Sequence, residues 1–434
     1  QVTYPIVSSM IAAPRVKNVR GQSMLGFSFV YVIFEEGTDL YWARSRVLEY
    51  MQGVTDKLPD GLTPRLGPDA TGGGWVYQYA LVDESGEQDL ADLRSLQDWN
   101  LRYWLQAVPG VAEVASIGGH VKQYQVNVDP NKLAAYGLSI LEVTQKIRMS
   151  NNDVGGRVIE QAGREYMVRG RGYIQSLDDI REIVLRSDPE GVPVRVADVA
   201  QVALGPDIRR GVVELDGKGE VVGGIVVMRY GANALEVIEG VKEKIQEISS
   251  ALPKGVKIVP VYDRSELIHA SIDTLKEELL KLAIVVSVVT MVFLLHLPSA
   301  FVVIITLPIA ILISFILMYV LDISSNIMSL GGIAIAIGAM VDSSIVMVEN
   351  AHKKLEKWEE EGLPGTRTDV IITAAQEVGP ALFFALLIIS VGFLPIFVLQ
   401  GQEGRLFQPL AYTKTLAMFF SAFFALSLPP VLLV

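Results

Sequence analysis

Apolar residues change their distribution once along this chain, near Ala270. Before that point they interleave with polar residues, and their period switches repeatedly between two and helical spacing, the mark of a soluble α+β fold. Phe27-Ser28-Phe29-Val30-Tyr31-Val32-Ile33-Phe34 predicts a strand, and Asp39 to Leu58 a helix with Leu40, Ala43, Val47 and Met51 on one face. The same order then returns. Trp75 to Val82 reads as a strand, Asp89 to Val108 as a helix, and Val111 to Ile117 and Val121 to Val128 as strands meeting at Gly118-Gly119. A third stretch, with strand Glu220 to Met228, helix Ala234 to Leu252 and strand Val256 to Val261, suggests a repeated small βαβ unit of the ferredoxin-like kind. Between these lies Ala134 to Ala203, richer in Arg, Gly and Asp, which reads as an inserted subdomain.

After Lys281 the pattern loses its polar half. Asp322 and His296 are the only ionisable acidic or basic side chains before Asp342. Runs of about 20 apolar residues cross a bilayer as helices, and four or five fit here, at 276–297, 300–321, 327–350, 378–400 and 411–434. Connections such as Leu295-His296-Leu297-Pro298-Ser299 are short, so neighbouring spans run antiparallel. A long polar loop from Ala351 to Thr368 carries Lys353, Lys354, Lys357 and Arg367, against Arg405 alone between Gly401 and Pro409. The excess of Lys and Arg puts the former loop in the cytoplasm and the soluble part in the periplasm of a two-membrane bacterium.

Composition narrows the chemistry. Of 434 residues 50% are hydrophobic, which fits a chain that is partly in a membrane, and the formal charge of −11 argues against nucleic acid as a partner. Cysteine is absent and the four histidines (His120, His269, His296, His352) have no ligand-like spacing. Metal chemistry here therefore runs on methionine, carboxylates or backbone, and no resident cofactor is expected. The opening Gln1-Val2-Thr3-Tyr4-Pro5 has neither a basic nor an apolar leader region and reads like the middle of a longer chain.

Two kinds of side chain stand out in the apolar half. Asp342 sits deep in a span, and an intramembrane acid is costly enough to be a functional hypothesis by default, usually a proton relay. Glu349 is seven residues on and shares its helix face. It lies near the cytoplasmic end, where a solvated or capping acid is the equal alternative. The glycines and alanines before Asp342 allow close helix approach. The second kind is methionine, whose thioether suits Cu(I) and other soft ions. Met328, Met340, Met347 and Met418 fall in or beside the spans, with ordinary core packing as the competing reading. Met340 and Met347 lie roughly opposite Asp342 at ~100° per residue. A proton face and a soft-ligand face can thus share one helix. Lys414, early in the last span, is the other intramembrane charge. Tyr41-Trp42 and Trp99, Tyr103 and Trp104 read as core aromatics. Gly72-Gly73-Gly74 lacks the Lys-Ser/Thr of a phosphate loop and reads as a link between subdomains.

The segment from Asn326 to Lys353 resembles the fourth transmembrane helix of heavy-metal efflux transporters of the resistance-nodulation-division class. Asp39 to Glu49, Gly67 to Val82, Val111 to Gly119, Tyr262-Asp263-Arg264-Ser265, Glu377 to Leu382 and Gly401 to Thr415 extend the resemblance over essentially the whole chain, nearest to the copper/silver (Cus- and Sil-type) branch. The resemblance implies a homotrimer of chains more than twice this length, working with a periplasmic adaptor and an outer-membrane channel. It implies porter and docking subdomains followed by an α-helical transmembrane bundle. Residues 1–73 would be part of the first porter subdomain, 74–132 with 206–265 the second, 133–205 the docking subdomain and 266–434 transmembrane helices two to six. Asp342 matches the relay aspartate, and the four methionines look like stepping stones for monovalent metal. Zinc, cobalt and cadmium exporters tend to carry a further acid six residues before that aspartate, and here the position is Ala336. In Gly205-Pro206-Asp207-Ile208-Arg209-Arg210, Ile208 stands where the copper/silver pumps have methionine. Multidrug members usually show two adjacent aspartates, and Ser343 replaces the second. The expected function is proton-driven export of Cu(I) or Ag(I), with a divalent exporter or a non-transporting membrane sensor as alternatives. An intramembrane aspartyl protease needs a second deep aspartate on a facing helix, which the spans lack.

Overall fold

The structure, a computed structural model, describes residues 1–187, 191–209, 211–294, 297–321, 323, 326–362 and 364–433. His296, Asp322 and Arg210 lie outside the described residues, as does the Arg405 side chain. The chain divides into two compact units, one of Gln1–Leu66 with Ser265–Val434 and the other of Gly67–Arg264.

The Gly67–Arg264 unit is built on a four-stranded antiparallel sheet. Its strands are β1 (Trp75–Asp83), β2 (Val111–Gly118), β3 (Val222–Met228) and β4 (Val256–Asp263), in the spatial order β4-β1-β3-β2. A helical segment from Leu90 to Gln106, interrupted by a π turn at Gln97–Leu101, joins β1 to β2, and the Ala234–Ile248 helix joins β3 to β4. Each connection skips a neighbour and leaves room for a strand from the other half, the split βαβ arrangement. Both helices start where the sequence offers a cap: Asp89 accepts from the backbone of Ala91 and Asp92, and Asn233 accepts from Leu235. Their apolar faces cover the sheet, burying Leu93, Leu101, Leu105, Val237, Ile238 and Val241 against Val76, Leu81, Val114 and Val226. Inside this core the Tyr79 hydroxyl donates to Gln97 Oε1 at 2.8 Å, and burial pushes the phenol well above its usual range, so it remains a donor. The Tyr79 ring lies where a side chain at Gly224 would have to go.

The two strands that meet at Gly118-Gly119 belong to different sheets. Lys122–Val128 does not pair with β2 but with Ala200–Pro206, antiparallel and in continuous register. Both glycines have positive φ, and a Cβ on Gly119 would meet Val222 and the Leu90 carbonyl, so the chain turns out of the first sheet there at no steric cost. Between the two paired strands the intervening chain forms its own core around Leu133, Val143, Ile180, Val196 and Val199. Gly72–Gly74 follows the start of this unit at Gly67. It lies inside this unit as a 3₁₀ turn leading into β1, with Gly74 buried against the Met228 carbonyl.

In the other unit, Thr3–Met10, the hairpin Val16–Met24 with Phe27–Phe34 and the helix Leu40–Thr55 pack around Met10, Val47, Val54 and Leu58. Asp39 caps the helix through the Trp42 N–H at 2.7 Å. This segment contributes only two strands, so the four-stranded unit occurs once among the described residues. The aromatic pairs expected in the core are largely exposed: Tyr41, Trp42, Trp99 and Tyr103 face outward, and only Trp104 packs on the core. Helical spacing cannot tell an inward stripe from an outward one. Trp42 is held instead by Phe34 edge-on and by the guanidinium groups of Arg15 and Arg46 over its ring.

Five long helices follow: α1 (Arg264–Leu294), α2 (Leu297–Val320), α3 (Ile327–Glu361), α4 (Arg367–Gly392) and α5 (Gly401–Leu433). Among the described residues Ile327–Glu361 and Arg367–Val398 are long and apolar enough to cross a bilayer, and the bent pair Leu406–Phe424 with Leu426–Leu433 makes a third. Two segments read as loops are helix. α3 continues through the charged residues to Glu361 and ends at Gly362 in the left-handed conformation, and α5 already includes Gly401 to Pro409. Glu349 with Lys353 and Lys357 with Glu361 bridge successive turns and support the extension of α3.

Gly224→Ala should destabilise the protein by ~1–3 kcal/mol through overpacking against Tyr79, whereas Gly53→Ala, in a helix with open space around it, should be neutral or stabilising by up to ~1 kcal/mol. Melting temperatures of the two variants check the contrast.

Candidate functional site

α3 starts with a reciprocal cap in which Asn326 accepts from the Ser329 N–H and Ser329 Oγ accepts from the Asn326 N–H. Within the next turn α3 meets α5. A side chain at Gly332 would collide with the Leu410 carbonyl and the Thr413 hydroxyl, and Thr413 Oγ1 lies 2.9 Å from the Ser329 carbonyl, its one proton shared between that carbonyl and those of Pro409 and Leu410 in its own helix. This contact sets the depth of α5 against α3, and the placement of the candidate residues follows from it.

Met340 and Met418 are brought together in one buried cluster, with relative exposures of 4% and 0%, beside Ile333, Ala336 and Ile337. Met347, two turns beyond Met340 on the same side, is 1% exposed. Met328 is half-buried in the first turn of α3 and does not join the cluster. Asp342 is on the other side. It is exposed, in a stripe with Ile335, Gly338 and Val346, and it makes no ion pair or side-chain hydrogen bond among the described residues. The adjacent hydroxyls do not serve it: Ser343 and Ser344 donate to the carbonyls of Ala339 and Met340 in their own helix. Glu349 continues the stripe, with its side chain 46% exposed and its carboxylate accepting from Lys353 Nζ at 2.6 Å.

Lys414 is 6% exposed, with its ammonium over the face of Phe393. It does not belong with Asp342. Its neighbour Thr413 packs at Ser329, and the residues from Gly332 to Asp342 amount to ~15 Å of helix at 1.5 Å each. Met318, on α2, was not singled out by the sequence, yet it is buried in the same cluster as Met340 and Met418. α2 is apolar on every side, so periodicity gave no sign of which face turns inward. Among the described residues no group of three His, Asp or Glu side chains is placed to hold a metal ion. The candidate residues of α3 thus place thioethers on one face and a carboxylate on the other.

A family model described as the AcrB/AcrD/AcrF family matches residues 1–434. The chain belongs to this family. It is 57% identical over 438 residues to "Cation efflux system protein CusA" of Escherichia coli (strain K12), covering 100% of this chain and 42% of that protein. It is 55% identical over 439 residues to "Putative cation efflux system protein SilA" of Salmonella typhimurium, with the same two coverages, 100% and 42%. "Cobalt-zinc-cadmium resistance protein CzcA" of Cupriavidus metallidurans is 39% identical over 429 residues, 96% of this chain and 40% of that protein. A crystal structure of a heavy metal efflux pump superposes with a TM-score of 0.86 at 33% identity, covering 99% of this chain and 42% of that one. The chain thus spans about two fifths of the length of these relatives.

The exposed pairing of Glu349 with Lys353 leads to a specific expectation. Glu349→Gln should lower stability by no more than ~0.3–0.5 kcal/mol, the usual contribution of an exposed i,i+4 pair. Melting temperatures of wild type and variant test this, and a loss well beyond that range would show that the carboxylate does more than bridge one turn of α3.

Proposed function

We propose that this chain is part of a proton-driven inner-membrane pump that exports Cu(I) and Ag(I) by metal/proton antiport. The observation that carries the reading is the division of α3 into a thioether face, with Met340 and Met347 buried, and a carboxylate stripe with Asp342 outward. Antiport couples two cargoes of different chemistry. A proton needs an ionisable group at depth, and a soft ion needs sulfur. One rigid helix bearing both faces carries them together through any conformational change. A carboxylate in an apolar span faces protein rather than lipid. The Asp342 stripe is therefore the side on which the remainder of the pump packs, and Asp342 is the proton carrier.

The preference for a soft monovalent ion is supported by Ala336, fully buried where a hard-ion exporter would place a carboxylate, and by the closer similarity to CusA and SilA than to CzcA. Met328, Met340, Met347 and Met418 serve as successive soft ligands. The pump is a homotrimer in contact with membrane lipid, engaging a periplasmic adaptor and an outer-membrane channel, with residues 67–264 in the periplasm. Residues 1–66 follow the helix–strand–strand–helix order found in the middle of the four-stranded unit, and we read them as part of a second ferredoxin-like copy.

Asp342→Asn keeps the shape of the side chain but cannot release a proton, so export should be abolished while assembly stays intact. Full metal resistance of a strain expressing that variant at normal level would rule out the relay role.

The methionines need a separate test. Leucine preserves most of methionine's volume and usually costs less than ~1.5 kcal/mol in a core. Replacing Met340, Met347 and Met418 together by leucine should leave folding and proton leak near normal, yet stop movement of Ag(I) offered on the cytoplasmic face of reconstituted vesicles. Equal flux in wild type and triple variant would return these residues to core packing.

A further inference from the structure

Buried methionines are unevenly distributed in this protein. The cluster formed by α2, α3, α4 and α5 has nine buried members, three of which are Met318, Met340 and Met418. The other four buried clusters among the described residues contain one methionine, Met10. Methionine used as a flexible filler goes wherever volume is left over, and gives no reason for three to gather from three different helices. The remaining members reinforce the contrast. Ala336, Ala417 and Ala422 are small, the others are Ile or Leu, and none carries a side-chain nitrogen or oxygen. Among these nine apolar members the three thioethers are the side chains with a donor atom, and thioether sulfur suits soft monovalent cations.

The three sulfurs also stand at different depths. Met318 is close to the end of α2 at Val320, on the side of the connection to α3, and the Ile323 N–H bonds back to its carbonyl. Met340 lies ~20 Å along α3 from its start at Ile327, at 1.5 Å per residue. Met418 is a little more than one turn beyond Thr413, which packs on Ser329 near that start. Along the bundle Met318 is thus at the end nearest the α2–α3 connection, with Met418 and then Met340 further in.

We propose that Met318 is a third soft-ligand position in this cluster, receiving a monovalent soft cation between Met418 and the end of the bundle at the α2–α3 connection. The proposal rests on the reading of the protein as a soft-metal exporter, and its test separates the two. The full-length pump is purified, and Ag(I) binding and Ag(I) flux in proteoliposomes are measured for wild type, Met318→Leu, Met318→Cys, Met340→Leu, Met418→Leu and, as a control in another core, Met10→Leu. Leucine keeps the volume and removes the sulfur, whereas cysteine keeps sulfur and loses volume. A ligand role predicts that Met318→Leu weakens Ag(I) binding about tenfold and slows flux, that Met318→Cys retains both, and that Met10→Leu changes neither. Packing predicts the reverse order, with leucine silent and cysteine lowering the melting temperature, and that result overturns the proposal. Met318→Leu with unchanged binding and flux, alongside impaired Met340→Leu and Met418→Leu, overturns it while leaving the exporter reading in place. Wild-type pump that neither binds nor moves Ag(I) overturns both.

Discussion

The contact of Gly332 with Thr413 sets the depth of α5 against α3. Apolar side chains on a membrane helix pack nearly as well one turn up or down, because lipid and protein interior are equally apolar. A glycine that admits a neighbouring backbone, together with a hydroxyl bonded to the Ser329 carbonyl, breaks that degeneracy. Met418 then lies with Met340 and Ala336, and Lys414 is held near the start of α3 beside Phe393, well away from Asp342.

From that register follows a separation of chemistries. Sulfur needs no water and can be buried completely, as Met340, Met347 and Met418 are. A carboxylate cannot be buried without partners. Asp342 stands on the stripe that the described residues of the other helices leave uncovered, where its two neighbouring serines are already committed to backbone carbonyls. The same logic explains Glu349, whose charge is met by Lys353 at the polar end of the helix.

The Gly67–Arg264 unit solves a different problem. Its sheet is assembled from two stretches of chain separated by the region around Leu133 to Val202, which has a core of its own. The turn at Gly118-Gly119 lets the chain leave the first sheet, and Gly224 in β3 makes room for Tyr79. In both units glycine serves by absence: the missing Cβ is the space that another group occupies.

Much of this was legible in the sequence. The strands at Phe27–Phe34 and Trp75–Asp83, the helix from Leu40, and the change to membrane-spanning composition follow from periodicity, caps and hydropathy, which are local properties. So does the angular opposition of Asp342 and Met340, since it needs only the helical repeat. The extension of α3 through Lys353 to Glu361 was missed because charged residues read as loop until their i,i+4 pairing is considered. Strand partnership, inward against outward faces and depth were decided by the tertiary structure alone. Lys122–Val128 pairs with a strand more than seventy residues away, Trp42 and Trp99 face outward although spaced like core residues, and Met318 joins Met340 and Met418 from a helix apolar all round. In each case the deciding contact lies between residues distant in the chain, where no local period carries information.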